Sequence, residues 1–224
     1  VKEVAPGLWQ LSGFPPNVIN VYVAGDVLID AATKWASRRI LRQVRSLGLT
    51  ELALTHVHAD HQGSAKVVCA ELGVPLACHV DDVDAMEGRV PAQRAHVNHL
   101  ANRFGRAVFL GPPRKVDRVL HEGDMVGEFR VVHAPGHAPG EVIFFRDSDR
   151  AAICGDVITT INVRTGLPGV HISPWYYTYD MEQAKASVVK LLDLAPSVIC
   201  PGHGKPLHDI AQLEAFVERE GLRG

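Results

Sequence analysis

Directly after the short apolar run Leu52 to Thr55, the chain reads His56-Val57-His58-Ala59-Asp60-His61, three imidazoles and a carboxylate within six positions. Such groups are costly to crowd at the end of a buried strand unless something compensates them. Neutral imidazoles beside a carboxylate suit one or two divalent ions, zinc above all. Locally extended backbone would put His56 and His58 on one side, and the following turn lets Asp60 and His61 face a second ion. The competing readings are a solvated polar loop, or a helix start at which Asp60 is only the cap. Strand, polar turn and helix in succession is also where α/β folds place their chemistry.

The surrounding pattern supports such a fold. Two β-branched runs, Val18 to Val23 and Val27 to Asp30, flank Ala24-Gly25-Asp26 and read as a hairpin. Ile40, Leu41, Val44 and Leu47 recur at helical spacing within 31–47, with Gly48 as the stop, and a second helical pattern runs from Ser64 to Leu72 and ends at Gly73. Further strands are expected at Pro75 to Cys78, Phe129 to His133, Val142 to Arg146, Ala151 to Cys154 and Val198 to Cys200, and further helices at 180–194 and 209–220. Regularity fades over 81–118, which carries Pro91, Pro112 and Pro113; this stretch is expected to be partly helical and is the candidate lid over a site. No repeat or low-complexity linker divides the chain, so residues 1–224 are read as a single domain.

Composition narrows the partners. With 46% hydrophobic and 21% charged residues and a formal net charge of −2, the chain has material for a sizeable core, and it lacks the basic runs of a nucleic-acid binder. The residues before Pro6 are too few and too charged for a signal peptide, which makes a cytoplasmic protein with a small-molecule partner and no membrane or nucleic-acid partner the expectation. Cysteines 69, 78, 154 and 200 form no CxxC pair and read as buried core thiols. The informative excess is histidine, of which there are 12.

Three more turns end in possible ligands: Ala134-Pro135-Gly136-His137, Cys154-Gly155-Asp156 and Pro201-Gly202-His203-Gly204. Each succeeds an expected strand, and glycine before a ligand lets the backbone approach closely or take a positive φ. Together, HxHxDH at 56–61, PGH at 135–137, GD at 155–156 and PGHG at 201–204 resemble the ordered motifs of the metallo-β-lactamase superfamily over nearly the whole chain. The resemblance implies an αββα sandwich with a metal site at one edge of its two sheets. It assigns His56, His58 and His137 to a first metal, Asp60, His61 and His203 to a second, and Asp156 to the bridge between them. Asp30, at the end of its strand, would stand behind the ligands.

The chemistry implied by the resemblance is that of a hydrolase. Two divalent ions, zinc by preference with iron or manganese admitted by the same donors, would activate a bridging water against a small ester, thioester or lactone. Asp60 would be the catalytic group, orienting the nucleophile or passing its proton to the leaving group. Asp156 disfavours a true β-lactamase, which carries cysteine or a non-ligand at that place. About twenty residues after Gly204 are too few for the helical glutathione-binding domain of classical glyoxalase II enzymes. Thr159 stands where quorum-quenching lactonases typically carry tyrosine, leaving Tyr176, Tyr177 or Tyr179 to reach the site from a later loop. His96, His99, Arg103 and Arg106 in the lid segment are candidate contacts for an acidic substrate, with a solvated helical face as the alternative, and His171 is a loop candidate. Two rival functions share the fold: a mononuclear iron persulfide dioxygenase, and a catalytically silent metal-binding module. Oligomeric state leaves no signal in the sequence.

Overall fold

The computed structural model describes residues 1–94 and 98–223. Seven strands form the first sheet in chain order: β1 (Lys2–Ala5), β2 (Leu8–Gln10), β3 (Tyr22–Ala24), β4 (Val27–Ile29), β5 (Glu51–Ala53), β6 (Leu76–His79) and β7 (Arg118–Leu120). The first four pair antiparallel, β1 with β2 and β3 with β4 through tight turns, the latter the expected one at Gly25, and β2 with β3 through a longer loop. From β4 onward the pairing is parallel, because each connection now makes a crossover through helical segments. These carry α1 (Ser37–Val44), α2 (Ala59–Gln62), α3 (Ala65–Leu72), α4 (Val83–Met86) and α5 (Leu100–Phe109).

The second sheet contains β8 (Met125–Val126), β9 (Phe129–His133), β10 (Val142–Arg146), β11 (Ala151–Gly155) and, after a separate hairpin of β12 (Thr159–Ile161) and β13 (Pro168–His171), β14 (Val198–Pro201). Its spatial order is β14-β11-β10-β9-β8. The last helices are α6 (Met181–Asp193) and α7 (Ala211–Arg219).

Three apolar layers show how these elements stack. Between the sheets, Tyr22, Ile29 and Leu120 meet Phe129, Phe144 and Ile153. On the far face of the first sheet, Leu28, Leu52 and Leu76 pack with Ile40 and Leu41 of α1 and Val68 of α3. On the far face of the second, Ile143, Phe145 and Ile199 pack with Val188 and Leu191 of α6 and Leu213 of α7. Successive residues of β10 thus enter opposite layers, and both faces of each sheet are covered, which explains why the strands read as continuous apolar runs. Each such fully buried side chain contributes about 1.5–3 kcal/mol. The result is the expected αββα sandwich. All four cysteines are buried in it as free thiols, and among the described residues no helix is long and apolar enough to cross a membrane.

The structure departs from expectation where backbone is committed to the site. The helix expected over 31–47 begins only at Ser37, because Asp30 and Ala32 take positive φ (64° and 51°) and Ala31 donates its N–H to the His61 carbonyl at 2.7 Å. The hairpin of β12 and β13, the edge strand β1 and its neighbour β2 have no distinct apolar signature; all are short, and β1, β12 and β13 are largely exposed or half-buried. Segment 81–118 is partly helical, with α4 and α5 inside it.

Candidate metal centre

β5 runs out through a bend at Thr55 to His58, which is extended with φ −107° and ψ 164°. The single turn of α2 then brings Asp60 and His61 round, with the His61 and Gln62 N–H groups donating to the His58 carbonyl. Asp60 lies within this turn, and His58 occupies the cap position, so the reading of Asp60 as a simple helix cap is set aside. The other ligands arrive from the second sheet. Gly136 has φ 140° and lies so close to the start of α6 that a Cβ there would be 2.1 Å from the Ala184 nitrogen. Only glycine lets the loop after β9 pass that close and turn His137 inward. Asp156 comes directly after β11, and His203 after β14, whose end is pinned across the sheets by the Tyr22 hydroxyl donating to the Pro201 carbonyl at 2.8 Å.

All seven sequence-predicted residues converge. One ligand atom each from His56, His58 and His137 lie within 4.8 Å of one another, and so do those of Asp60, His61 and His203. Asp156 stands between the two groups, with Oδ2 3.4 Å from His137 Nε2 and 3.2 Å from His203 Nε2, and Oδ1 3.6 Å from His61 Nε2. Asp60 Oδ2 is 3.3 Å from His203 Nε2. Three of the rings are backed from behind. His61 Nδ1 donates to Asp30 Oδ2 at 2.8 Å, and His203 Nδ1 donates to the Val18 carbonyl at 2.5 Å. His56 Nδ1 lies 3.2 Å from Thr55 Oγ1 and 3.6 Å from Glu141 Oε1. Buried atoms that would face an ion have no hydrogen-bond partner: His56 Nε2, His61 Nε2, one nitrogen of His137 and Asp156 Oδ1. Unsatisfied buried polar atoms are rare in folded proteins, and their convergence fits a divalent ion.

The electrostatics fit as well. Burial, reinforced by the neighbouring imidazoles, holds His56 well below the ordinary histidine range, and His58 likewise through burial and His137. His137 is pushed down to about 4, chiefly by burial. These rings are neutral at pH 7, the form that binds metal. His61 behaves oppositely: burial alone would lower it, but the Asp30 and Asp156 carboxylates raise it to about 9. Burial by itself would also raise Asp156 and Asp60, yet the charges of His203 and His61 bring both below the usual carboxylate range. A cation at their shared face would take over that role.

Behind the ligands stand groups that sequence reasoning missed. Buried Asp82 accepts N–H bonds from Val57 at 2.9 Å and Gly140 at 3.1 Å, tying the HxHxDH loop to the loop after His137. Buried Glu141 accepts the Asp156 N–H at 2.7 Å and is pushed well above the carboxylate range by burial and by Asp156. The only available signal was the position of Glu141 four residues after His137. Asp30, placed behind the ligands by resemblance, does stand there.

A cavity of about 350 Å³ opens over the ligands, lined by His58, Asp60, His137, Asp156 and His203 together with Val18, Ile19, Gln93, Gly105, Phe109, Ile161, Val163 and Tyr177 among others. Segment 81–118 therefore contributes wall residues. Its cations do not: Arg106 lines a different cavity beside Pro91 and Pro113, Arg103 is exposed, and His99 stacks on Tyr176 with ring centroids 4.5 Å apart. His96 lies outside the described residues. Of the three tyrosines, Tyr177 reaches the cavity, Tyr176 packs on His99, and Tyr179 is half exposed and not part of the wall. His171 pairs in the hairpin opposite Thr159 and is likewise not part of the wall. Away from the centre, His79 and His133 stack at 4.0 Å beside Asp81. There His79 Nδ1 accepts the Asp81 N–H and His133 Nε2 meets the Pro139 carbonyl at 2.9 Å, so one ring nitrogen of each already serves the fold.

Comparison with known proteins agrees with this geometry. Residues 14–203 match the model of the metallo-beta-lactamase superfamily. A probable metallo-hydrolase of Bacillus subtilis, YflN, is 26% identical, with 92% of this chain and 86% of the relative covered. The hydroxyacylglutathione hydrolase GloC of Haemophilus influenzae is 29% identical over 75% of this chain and 76% of its own length. The crystal structure of TTHA1623 in a di-iron-bound form superposes with a TM-score of 0.62 at 28% identity, covering 96% of each chain. With the match spanning most of its length and the motifs gathered at one sheet edge, this chain belongs to the metallo-β-lactamase superfamily.

Proposed function

We propose that the protein is a two-metal hydrolase acting on a small ester, thioester or lactone. The observation that carries this is the position of Asp156, between a group of three histidines and a second group containing Asp60, His61 and His203, with buried donor atoms on both sides lacking any partner. In this reading His56, His58 and His137 hold one ion, Asp60, His61 and His203 the other, and Asp156 serves both. Two dications held there would make a shared water acidic enough to attack near neutral pH and would take up the charge developing on a carbonyl oxygen. Zinc suits the donor set, and iron or manganese is compatible with it; the di-iron form of TTHA1623 keeps iron in view.

The chain's own residues supply the rest. Asp60 is the ligand-group carboxylate least enclosed, with its side chain 27% exposed on the cavity side. Its ionised carboxylate can orient the attacking water, accept its proton and hand that proton to the leaving group. Asp30 and Thr55 hold His61 and His56 in place. The cavity walls above position the acyl group and limit water around it.

The test is a panel of thioesters, lactones, phosphodiesters and β-lactams assayed with protein of measured metal content. Hydrolysis of a carboxylic ester, thioester or lactone supports the reading. Absence of hydrolysis across the panel with both ions bound would contradict it and favour a silent metal-binding module.

A further inference from the structure

The walls of the cavity carry a chemical bias that the ligands do not. Val18, Ile19, Phe109, Ile161 and Val163 form its apolar surface, and among the described residues no lysine or arginine lines it. In the lid segment, Arg106 lines the separate cavity, and Arg94 donates to the Asp81 carbonyl at 2.9 Å. The apolar surface also continues outward. Val18 and Val163 are 38% and 43% exposed at the mouth. Phe104, 65% exposed, meets Phe109 edge to face at 6.5 Å, and exposed Leu167 comes directly after the wall residue Gly166.

We propose that this site takes an uncharged, apolar acyl chain, and that it discriminates against substrates whose acyl part carries a carboxylate. The proposal rests on the hydrolase reading for the reaction, but its physical basis is the wall alone. A carboxylate entering this cavity away from the ligands would lose water and meet no cation among the wall residues, only the neutral polar groups of Gln93, Asn162, Ser173 and Tyr177, so its binding is opposed by the desolvation of its charge. Each methylene, in contrast, gains by leaving water, and the exposed apolar rim lets that gain continue beyond the cavity itself.

Two measurements on metal-loaded protein test this. In the first, straight-chain primary amides of four, six and eight carbons are titrated calorimetrically as ligands that are not turned over. Affinity is expected to rise about three- to fourfold per methylene; equal affinities would overturn the proposal. In the second, kcat/KM is compared for hexanoyl and ω-carboxypentanoyl esters of one leaving group. The carboxylated ester is expected to be at least about tenfold poorer, and Val163→Lys, at a half-exposed position, is expected to narrow that ratio. Equal turnover of the two esters in the parent protein would overturn the proposal. Amide binding that strengthens with chain length while no ester is hydrolysed removes the hydrolase reading and leaves this one standing; hydrolysis without any gain from chain length does the reverse.

Discussion

The Asp30 carboxylate joins two parts of the centre: Oδ2 accepts from His61 Nδ1 at 2.8 Å, while Oδ1 accepts the Thr55 N–H at 2.8 Å. A residue at the end of β4 thus orients a ligand ring and fixes the backbone leading into His56. Such outer partners commonly govern metal affinity by roughly 10- to 100-fold. Asp30→Ala is accordingly expected to weaken the more loosely held of two ions by about that factor, measured by competition with a chromophoric chelator. Unaltered affinity would reduce Asp30 to a fold residue.

Asp60 is expected to matter for turnover more than for binding. Asp60→Asn, with metal content retained, should lower kcat by roughly 10²–10⁴ with a much smaller change in KM. Steady-state kinetics beside metal analysis distinguishes this from ligand loss, and an unchanged kcat would remove Asp60 from the chemistry.

Gly202 offers a test of close approach. A Cβ there would lie 2.4 Å from Asp156 Oδ1 and 2.5 Å from His61 Cε1. Gly202→Ala is expected to reduce metal content while leaving far-UV circular dichroism near that of the parent. At Gly48, φ is +64° but no atom lies within 4 Å of the added Cβ. Gly48→Ala should therefore cost about 1 kcal/mol of stability through backbone strain alone and leave metal content untouched.

The His79 and His133 stack predicts a pH effect outside the centre. Burial, with His133 adding to it, lowers His79 to about 4 in the folded protein, against an ordinary value of 6.5. Between those values the unfolded chain binds a proton that the folded chain does not, so stability falls as pH drops from about 6.5 toward 4. Urea midpoints across this window should decline less steeply in His79→Gln than in the parent. Parallel curves would show that His79 does not contribute.

The legible parts of this protein were those in which one physical requirement dominates. β9 and β10 read clearly because both faces are buried, and α6 because Asp180 caps it, accepting the Glu182 and Gln183 N–H groups. The seven converging residues could be picked out because imidazoles and carboxylates crowd at turns that also contain glycine. Asp82 and Glu141 could not be: an isolated acidic residue acquires its role only when tertiary structure brings backbone N–H groups to it. The late start of α1 had the same origin, since the apolar period of 31–47 is satisfied whether or not residues 30–36 are diverted to support His61. The lid segment illustrates the limit from the other side. Its arginines could be read as contacts for an acidic substrate or as a solvated helical face, and only the fold shows that Phe109 and Gln93 line the cavity over the ligands while Arg106 lines another.

Counting metal in the purified, reconstituted protein and in His203→Ala by inductively coupled plasma mass spectrometry tests whether the seven side chains hold two ions. Close to two divalent ions per chain are expected in the parent and about one in the variant, with hydrolysis falling in parallel. One iron per chain in both proteins, with oxygen uptake on a persulfide substrate, would contradict this and establish a mononuclear dioxygenase instead.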